Sequence, residues 1–285
     1  MTKIEISKFD AALGATVSGI QLGQAQDGDI ETIKQALDDN LVLVLHNQTM
    51  TDDELVATST KFGKLDIPGV NPKGKPFHAE HPEINVISNI MVDGQPAGNL
   101  GAGEAVWHAD MTYKDDPPRA AVLYALEIPP AGGSTYFANM YAAYEALPDS
   151  LKKAIDGKTA IHDASHNSAG ILRKGYEEIT DVRETPGARH ALARTNPING
   201  KRALFLGRRP RSYVPGLTVA ESDALLDQLW AHATQEQFVY RHDWKVGDVL
   251  IWGNLEVLHR RDPFDASARR RMHRTQIGSY WTEAA

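Results

Sequence analysis

Apolar positions along the 285-residue chain follow two spacings, one typical of amphipathic helices and one typical of short buried strands. Helical spacing runs through 29–40, 51–63 and 141–155, and again after Thr218. The segments that begin at Thr51 and Thr218 each carry a glutamate three residues later, which is a capping-box signal. The pattern therefore predicts four helices spread along the chain.

Short apolar runs predict strands near both ends of the chain and between the helices. They cover 13–22, 41–45, 84–90, 121–128, 249–252, 256–259 and 272–280. Strands and helices do not alternate regularly, so we predict antiparallel sheets in a mainly-β fold with inserted helices, a β-sandwich or jelly roll. No repeat, linker or low-complexity tract divides the sequence, so we expect one domain over 1–285.

Composition narrows the functional classes. The chain has 30 basic and 37 acidic residues, a formal charge of −7, so it has no general electrostatic reason to bind nucleic acid or a membrane. It contains no cysteine, which excludes disulfides, thiolate zinc sites and iron–sulfur clusters. The first ten residues lack an apolar signal core, and the apolar run at 41–45 is too short to span a bilayer. We expect a cytoplasmic protein.

The segment around His108 carries the sharpest chemical signal. His108 and Asp110 stand two residues apart, so on a strand they would point to one face and reach one ion. His259, which follows an apolar strand, is the best third ligand. Two histidines and one carboxylate form the facial triad of iron(II) oxygenases. We interpret the other histidines weighed here as surface or core residues, namely His46, His81, His162, His166, His232, His242 and His273.

The arginine-rich segment 269–274 leads into the last predicted strand. If strand geometry starts at Arg270, then Arg270 and Arg274 share one face with Gln276. A buried guanidinium needs an anion, and arginine grips a carboxylate with two parallel hydrogen bonds. The pattern indicates either two bound carboxylates, one from a co-substrate and one from a substrate, or two structural salt bridges.

The chain resembles the taurine dioxygenase and 2,4-dichlorophenoxyacetate dioxygenase family of iron(II)/2-oxoglutarate enzymes, from about Leu13 to Gly278. Each motif is weak alone, but their order and spacing together are specific. The motifs are 13–19 (LGATVSG), 107–110 (WHAD), 117–118 (PP), 132–137 (GGSTYF), 143–147 (AYEAL), 194–195 (RT), 247–254 (GDVLIWGN), His259 and 270–274 (RRMHR).

The resemblance implies a double-stranded β-helix, a cupin-like jelly roll, with His108, Asp110 and His259 as iron ligands. It implies that Arg270 and Thr135 hold the distal carboxylate of 2-oxoglutarate. It assigns the acidic group of the primary substrate to Arg274 and to a cation in the 64–80 loop. Lys73 matches that family position best, and Lys75 and His78 are the alternatives. We also expect Met111, Tyr113 and Phe77 to line an apolar pocket.

The expected activity is hydroxylation, and thereby cleavage where the chemistry allows, of a small organic acid such as an aryloxyalkanoate, using Fe(II), 2-oxoglutarate and O2. A taurine-type alkylsulfonate enzyme is the alternative; a zinc hydrolase or a non-catalytic small-acid binding protein would be of another class. A dimer or tetramer is expected. Three positions depart from the family pattern: Glu104 close to the metal, Asn196, and Gly253, where we expect one structural hydrogen bond fewer.

Overall fold

The computed structural model describes residues 3–71, 74–103 and 105–278. The α-helices in these ranges connect or cover the sheets. They are α1 (Asp27–Asn40), α2 (Asp52–Phe62), α3 (Met140–Glu145), α4 (Asp149–Ile155) and α5 (Val219–Ala233). No helix in this part of the chain is long and apolar enough to cross a membrane.

The strands of the same ranges are short, and most pair antiparallel. They are β1 (Glu5–Lys8), β2 (Ala15–Ser18), β3 (Val42–Leu45), β4 (Asn85–Ser88), β5 (Met91–Val92), β6 (Gln95–Pro96), β7 (Asn99–Leu100), β8 (Ala105–His108), β9 (Ala120–Glu127), β10 (Thr135–Asn139), β11 (Thr159–Ile161), β12 (Arg189–Ala191), β13 (Ala193–Thr195), β14 (Arg202–Leu204), β15 (Val239–His242), β16 (Val249–Gly253), β17 (Val257–Arg261) and β18 (Arg271–Ile277).

Two sheets form the body of the fold. The larger sheet has the strand order β1-β2-β3-β16-β9-β18-β4-β7, and the smaller has the order β15-β10-β17-β8. Buried residues of both sheets share one apolar cluster, which includes Leu123 and Met272 of the larger sheet and Phe137 and Val257 of the smaller. The two sheets therefore pack face to face, and the predicted mainly-β jelly roll is confirmed.

The larger sheet is covered on both faces. In β3, Val42 and Val44 join the cluster between the sheets, while Leu43 and Leu45 join a second cluster with α1 and α2. This two-residue alternation is the strand period, and it explains why all four residues of β3 are buried. The smaller sheet is covered in turn by α3 and α5, which share a third cluster with Leu258.

The helix predicted over 141–155 is two helices. α3 ends at Glu145 and α4 begins at Asp149, with Pro148 at the N-cap of α4. Proline lacks a backbone N–H and restricts the residue before it, so the helix cannot run through Leu147-Pro148. Both predicted capping boxes are present, at Thr51 for α2 and at Thr218 for α5.

Gly253 departs from the family pattern at the end of β16. A Cβ at this position would lie 3.1 Å from both Arg119 Nη1 and Glu256 Oε2. Arg119 donates to Glu256 Oε2 and to Asp38 Oδ1, each at 2.6 Å. The glycine therefore leaves room for a buried arginine whose carboxylate partners come from neighbouring elements.

Candidate active site

Three residues of the predicted triad come together between the sheets. β8 ends at His108, whose Cα pairs with that of His259 on β17. Asp110 lies beyond β8 in a turn, so its orientation does not come from strand alternation as the sequence suggested. Instead, Asn254 Oδ1 accepts from the Asp110 N–H at 2.7 Å, and Asn254 Nδ2 donates to the Asp110 carbonyl at 2.9 Å. Asn254 thus fixes the backbone that aims the carboxylate.

The ligand atoms of these three residues all lie within 4.8 Å of one another. His108 Nε2 is 3.6 Å from Asp110 Oδ1, and His259 Nε2 is 3.8 Å from Asp110 Oδ2. Both distances are longer than a good hydrogen bond. His108 Nδ1 lies 2.7 Å from the Val106 carbonyl and must donate to it, so the neutral form of His108 turns its Nε2 lone pair toward the carboxylate. Two acceptors facing each other fit a cation between them.

Burial and charge act together on the triad. His108, Asp110 and His259 are 7%, 6% and 7% exposed. Burial alone would raise the pKa of Asp110, but Arg274 and the two histidines hold it well below its usual value. Burial and the neighbouring His108 lower the pKa of His259 well below its usual value. Asp110 is therefore ionised in the folded protein, and a carboxylate with two imidazoles is the donor set that suits a divalent transition metal.

A cavity of about 530 Å³ opens beside the triad. Arg274 forms part of its wall, and its Nη1 donates to Asp110 Oδ2 at 2.8 Å. Gln276 lies two residues further along β18 and also lines the cavity. In the described part of the chain, Arg274 Nε and Gln276 Nε2 are buried without hydrogen-bond partners. This wall therefore has donor capacity that the protein itself does not satisfy.

Arg270 and Thr135 are buried and do not line the cavity. Arg270 is 2% exposed, and its Nε and Nη1 have no hydrogen-bond partner among the described residues. Burial, with Arg261 nearby, lowers the pKa of Arg270 to about 9. Thr135 Oγ1 accepts from Trp244 Nε1 at 2.9 Å, which leaves the threonine hydroxyl proton free to donate. A buried cation with unused donors fits an anionic group.

The remaining cavity wall combines segments that are distant in sequence. Of the predicted pocket residues, Met111 and Tyr113 line it, whereas Phe77 packs against the cluster that the larger sheet shares with α1 and α2. Arg173, Arg208 and Asn85 also line the cavity, and no local sequence motif marks them. His166, predicted as a surface or core residue, is buried in the wall. The position of Gln276 could be predicted from the sequence, because strand alternation places it on the same face as Arg274.

Of the three candidate cations in the 64–80 loop, the two that the structure describes lie outside the cavity wall. Lys73 lies outside the described residues, as does Glu104. His78 does not line the cavity; its Nε2 lies 3.0 Å from Asp52 Oδ2 at the start of α2. Lys75 is exposed and also absent from the cavity wall. The same loop reaches the cavity through Pro68, Gly69 and Val70 instead.

Comparison with known proteins agrees with this architecture. Residues 5–276 match the family model described as "Taurine catabolism dioxygenase TauD, TfdA family". The chain is 35% identical over 265 residues to the alpha-ketoglutarate-dependent 2,4-dichlorophenoxyacetate dioxygenase of Burkholderia sp. (strain RASC), covering 90% of this chain and 88% of that protein. It is 32% identical over 276 residues to pentalenolactone F synthase of Streptomyces avermitilis, with 91% and 89% covered.

Among solved structures, AAD-2 in complex with Mn(II) and N-oxalylglycine superposes with a TM-score of 0.79 at 29% identity, covering 98% of both chains. The chain belongs to the TauD/TfdA family and is an enzyme of the 2-oxoglutarate-dependent dioxygenase class. The predicted family, fold and reaction class are confirmed, and the class works with 2-oxoglutarate and a metal ion.

Proposed function

We propose that this enzyme uses iron(II), 2-oxoglutarate and O2 to hydroxylate a small organic acid, with an aryloxyalkanoate as the leading substrate class. The observation that carries the proposal is the pair of opposed acceptors at the triad. In the neutral form of His108, the Nε2 lone pair faces Asp110 Oδ1 at 3.6 Å, an arrangement that a bound divalent ion would satisfy. A zinc hydrolase would use the same three ligands but would give Arg270 no role.

The metal would be held by His108, Asp110 and His259. Iron(II) together with 2-oxoglutarate and O2 would supply the two-electron oxidation that hydroxylates a C–H bond, with succinate and carbon dioxide as co-products. The protein's own contribution is to hold the ligands. Val106 fixes the His108 tautomer, and Asn254 fixes the Asp110 backbone. Such supporting contacts keep a metal site at its working geometry.

The 2-oxoglutarate distal carboxylate would bind Arg270 and Thr135. Arg270 has two unused donors, and Thr135 has one hydroxyl proton to give. The carboxylate would satisfy groups whose burial without a partner is costly. This assignment explains why a cation with no acidic partner in the described chain is retained between the two sheets.

The substrate would lie in the cavity, with its acidic group at Arg274 and Gln276 and its organic group against Met111 and Tyr113. Hydroxylation of a carbon that bears an ether oxygen gives a hemiacetal, which collapses and cleaves the molecule. This accounts for hydroxylation and ether cleavage by one site. An alkylsulfonate would present the same anionic group to Arg274, so it is the alternative substrate class.

Anaerobic visible absorption tests the proposal. Iron(II) is added to the metal-free protein, and 2-oxoglutarate is added next. We expect a weak charge-transfer band only when both are present, because the keto acid chelates the metal through two oxygens. Iron binding without the band would refute the co-substrate site. Absence of iron binding would refute the triad and favour a non-catalytic acid-binding protein.

We also propose a cytoplasmic location and a homo-oligomeric state. A chain without cysteine fits a reducing compartment. Analytical ultracentrifugation should show a dimer or tetramer, and a concentration-independent monomer would refute the second proposal.

A further inference from the structure

The cavity has two walls of different construction. One wall comes from β18 and β4, where the Arg274 and Asn85 Cα atoms are cross-strand partners. Another part of the wall comes from the segment 163–176, which contributes Arg173 and Lys174. These walls carry four cationic side chains, although the whole chain has a formal charge of −7. The local concentration of positive charge therefore needs its own explanation.

Two of the four cations are already compensated by the protein. Arg274 is paired with Asp110 at 2.8 Å, and Arg208 is paired with Asp163 at 2.7 Å. Arg173 has no carboxylate within 4.0 Å among the described residues, and neither has the exposed Lys174. The charge of this wall is thus left for something other than the protein to balance.

Local contacts fix the position of Arg173 without neutralising it. Its guanidinium lies over the Tyr113 ring, 4.0 Å from the centroid, and its Nη1 donates to the Ala164 carbonyl at 3.4 Å. A guanidinium has five N–H groups, so most of its donors are still available. Stacking on an aromatic ring also restricts the side chain, which lowers the entropy lost when a ligand binds.

We propose that Arg173 is a second anion-binding residue of the substrate cavity, and that the substrate is a dianion. One acidic group binds at Arg274 and Gln276, and the other binds at Arg173 at the far end of the molecule. The inference rests on the proposed function, because it takes the cavity as the substrate site. It narrows the substrate from any small acid to an organic acid with a negative group at each end.

The test compares two probe acids that differ by one carboxylate. Phenoxyacetate carries a single negative group, and 4-carboxyphenoxyacetate carries a second at the opposite end of the ring. Binding of each is measured by calorimetry, without O2, to protein loaded with Mn(II) and 2-oxoglutarate. We expect the dianion to bind wild-type protein about 10-fold or more tightly than phenoxyacetate, as a charge-assisted hydrogen bond allows.

Arg173→Gln should remove this preference and change phenoxyacetate affinity by less than about 2-fold, while Arg173→Lys should keep part of the preference. Arg183→Gln is the matched control, since Arg183 is exposed and paired with Asp181 outside the cavity. Thermal unfolding of each variant separates loss of folding from loss of binding.

Equal weakening of both probes by Arg173→Gln would overturn the proposal and make Arg173 a purely structural contact of the loop. Absence of any wild-type preference, or of binding by either probe, would overturn it as well. In those cases the dioxygenase proposal still stands, provided that 2-oxoglutarate binds to the Mn(II)-containing protein. Failure of 2-oxoglutarate to load in the wild type would instead count against the proposed function itself.

Discussion

Two clusters in this molecule have the same composition, two histidines and one aspartate, and differ in how their polar atoms are satisfied. The first is the triad of His108, Asp110 and His259. The second, named here the loop clasp, consists of Asp52 at the start of α2, His78 in the 64–84 loop and His273 on β18. Both clusters bring their ligand atoms within 4.8 Å of one another.

In the loop clasp the imidazoles satisfy the carboxylate directly. His273 Nδ1 lies 2.6 Å from Asp52 Oδ1, and His78 Nε2 lies 3.0 Å from Asp52 Oδ2. The His81 N–H donates to His78 Nδ1, so the His78 proton sits on Nε2 and points at the carboxylate. In the triad, His108 Nδ1 donates to a carbonyl and the Nε2 lone pair faces Asp110.

The difference teaches that composition does not define a metal site. The hydrogen bond made by the outer ring nitrogen decides whether the inner nitrogen offers a proton or a lone pair. When the inner nitrogen carries a proton, it donates to the carboxylate and the two groups satisfy each other. When it carries a lone pair, two acceptors face each other and a cation fits between them. The loop clasp therefore joins the loop to α2 and β18, whereas the triad has the arrangement that would fit an ion.

The largest expected effect is on metal affinity, which substitutions in the triad should reduce and substitutions in the loop clasp should not. His108→Ala should weaken Mn(II) binding by more than about 100-fold, because it removes a direct ligand. His78→Ala, the matched variant in the loop clasp, should change it by less than about 3-fold. Anaerobic calorimetry measures both. If the wild type binds two equivalents of metal and His78→Ala binds only one, the loop clasp is also a metal site and the contrast between the clusters is wrong.

The same contrast between satisfied and unsatisfied groups applies to two buried arginines. Arg270 has two donors without partners among the described residues, whereas Arg274 donates through Nη1 to Asp110 and has only Nε buried without a partner. Arg270→Ala should raise the 2-oxoglutarate concentration needed for half-maximal turnover by about 10-fold to 150-fold, since a charged hydrogen bond is worth about 1.5–3 kcal/mol. Arg274→Ala should affect the primary substrate more. Equal effects of each variant on both ligands would contradict the assignment.

His162 extends the comparison to an imidazole with no polar partner at all in the described structure. Burial, with His190 and Arg194 nearby, lowers its pKa to about 3 from the usual 6.5. The folded protein thus keeps His162 neutral where the unfolded chain takes up a proton. Its contribution to stability is complete above pH 6.5 and is lost as the pH falls towards 3, by up to about 1.4 kcal/mol per pH unit.

Urea unfolding of wild type and His162→Leu between pH 4 and 7 measures this effect. The wild-type slope should exceed that of the variant in the acid range. Parallel pH dependence of the two proteins would show that His162 is protonated, or partnered, in the folded state.

The smallest effect is expected in the loop clasp. Asp52→Asn removes the charge that His78 and His273 share and should lower the free energy of unfolding by about 1 kcal/mol, as for a typical hydrogen bond, because Asp52 is partly exposed. Mn(II) affinity should stay within about 3-fold of wild type. Chemical denaturation and calorimetry give the two numbers, and a large loss of metal affinity would mean that the clusters are coupled.

The sequence predicted the triad because its ligands come with recognisable neighbours, a His-x-Asp pair and a histidine after an apolar strand. The reason offered for their convergence was partly wrong. Asp110 is aimed by Asn254, which lies 144 residues away along the chain. The break at Pro148 was readable from proline chemistry. Arg173 and Arg208 were not, because their place in the cavity wall depends on how distant loops fold over it.

Adjacent residues of β18 contact the two clusters. His273 belongs to the loop clasp, and Arg274 donates to Asp110 of the triad. This has a consequence for protein engineering. Exchange of the 64–84 loop with that of a relative, in order to change specificity, separates His78 from its two partners. A chimaera should therefore carry Asp52, His78 and His273 as one unit, or replace all three, so that Asp52 does not lose one of its two imidazole partners.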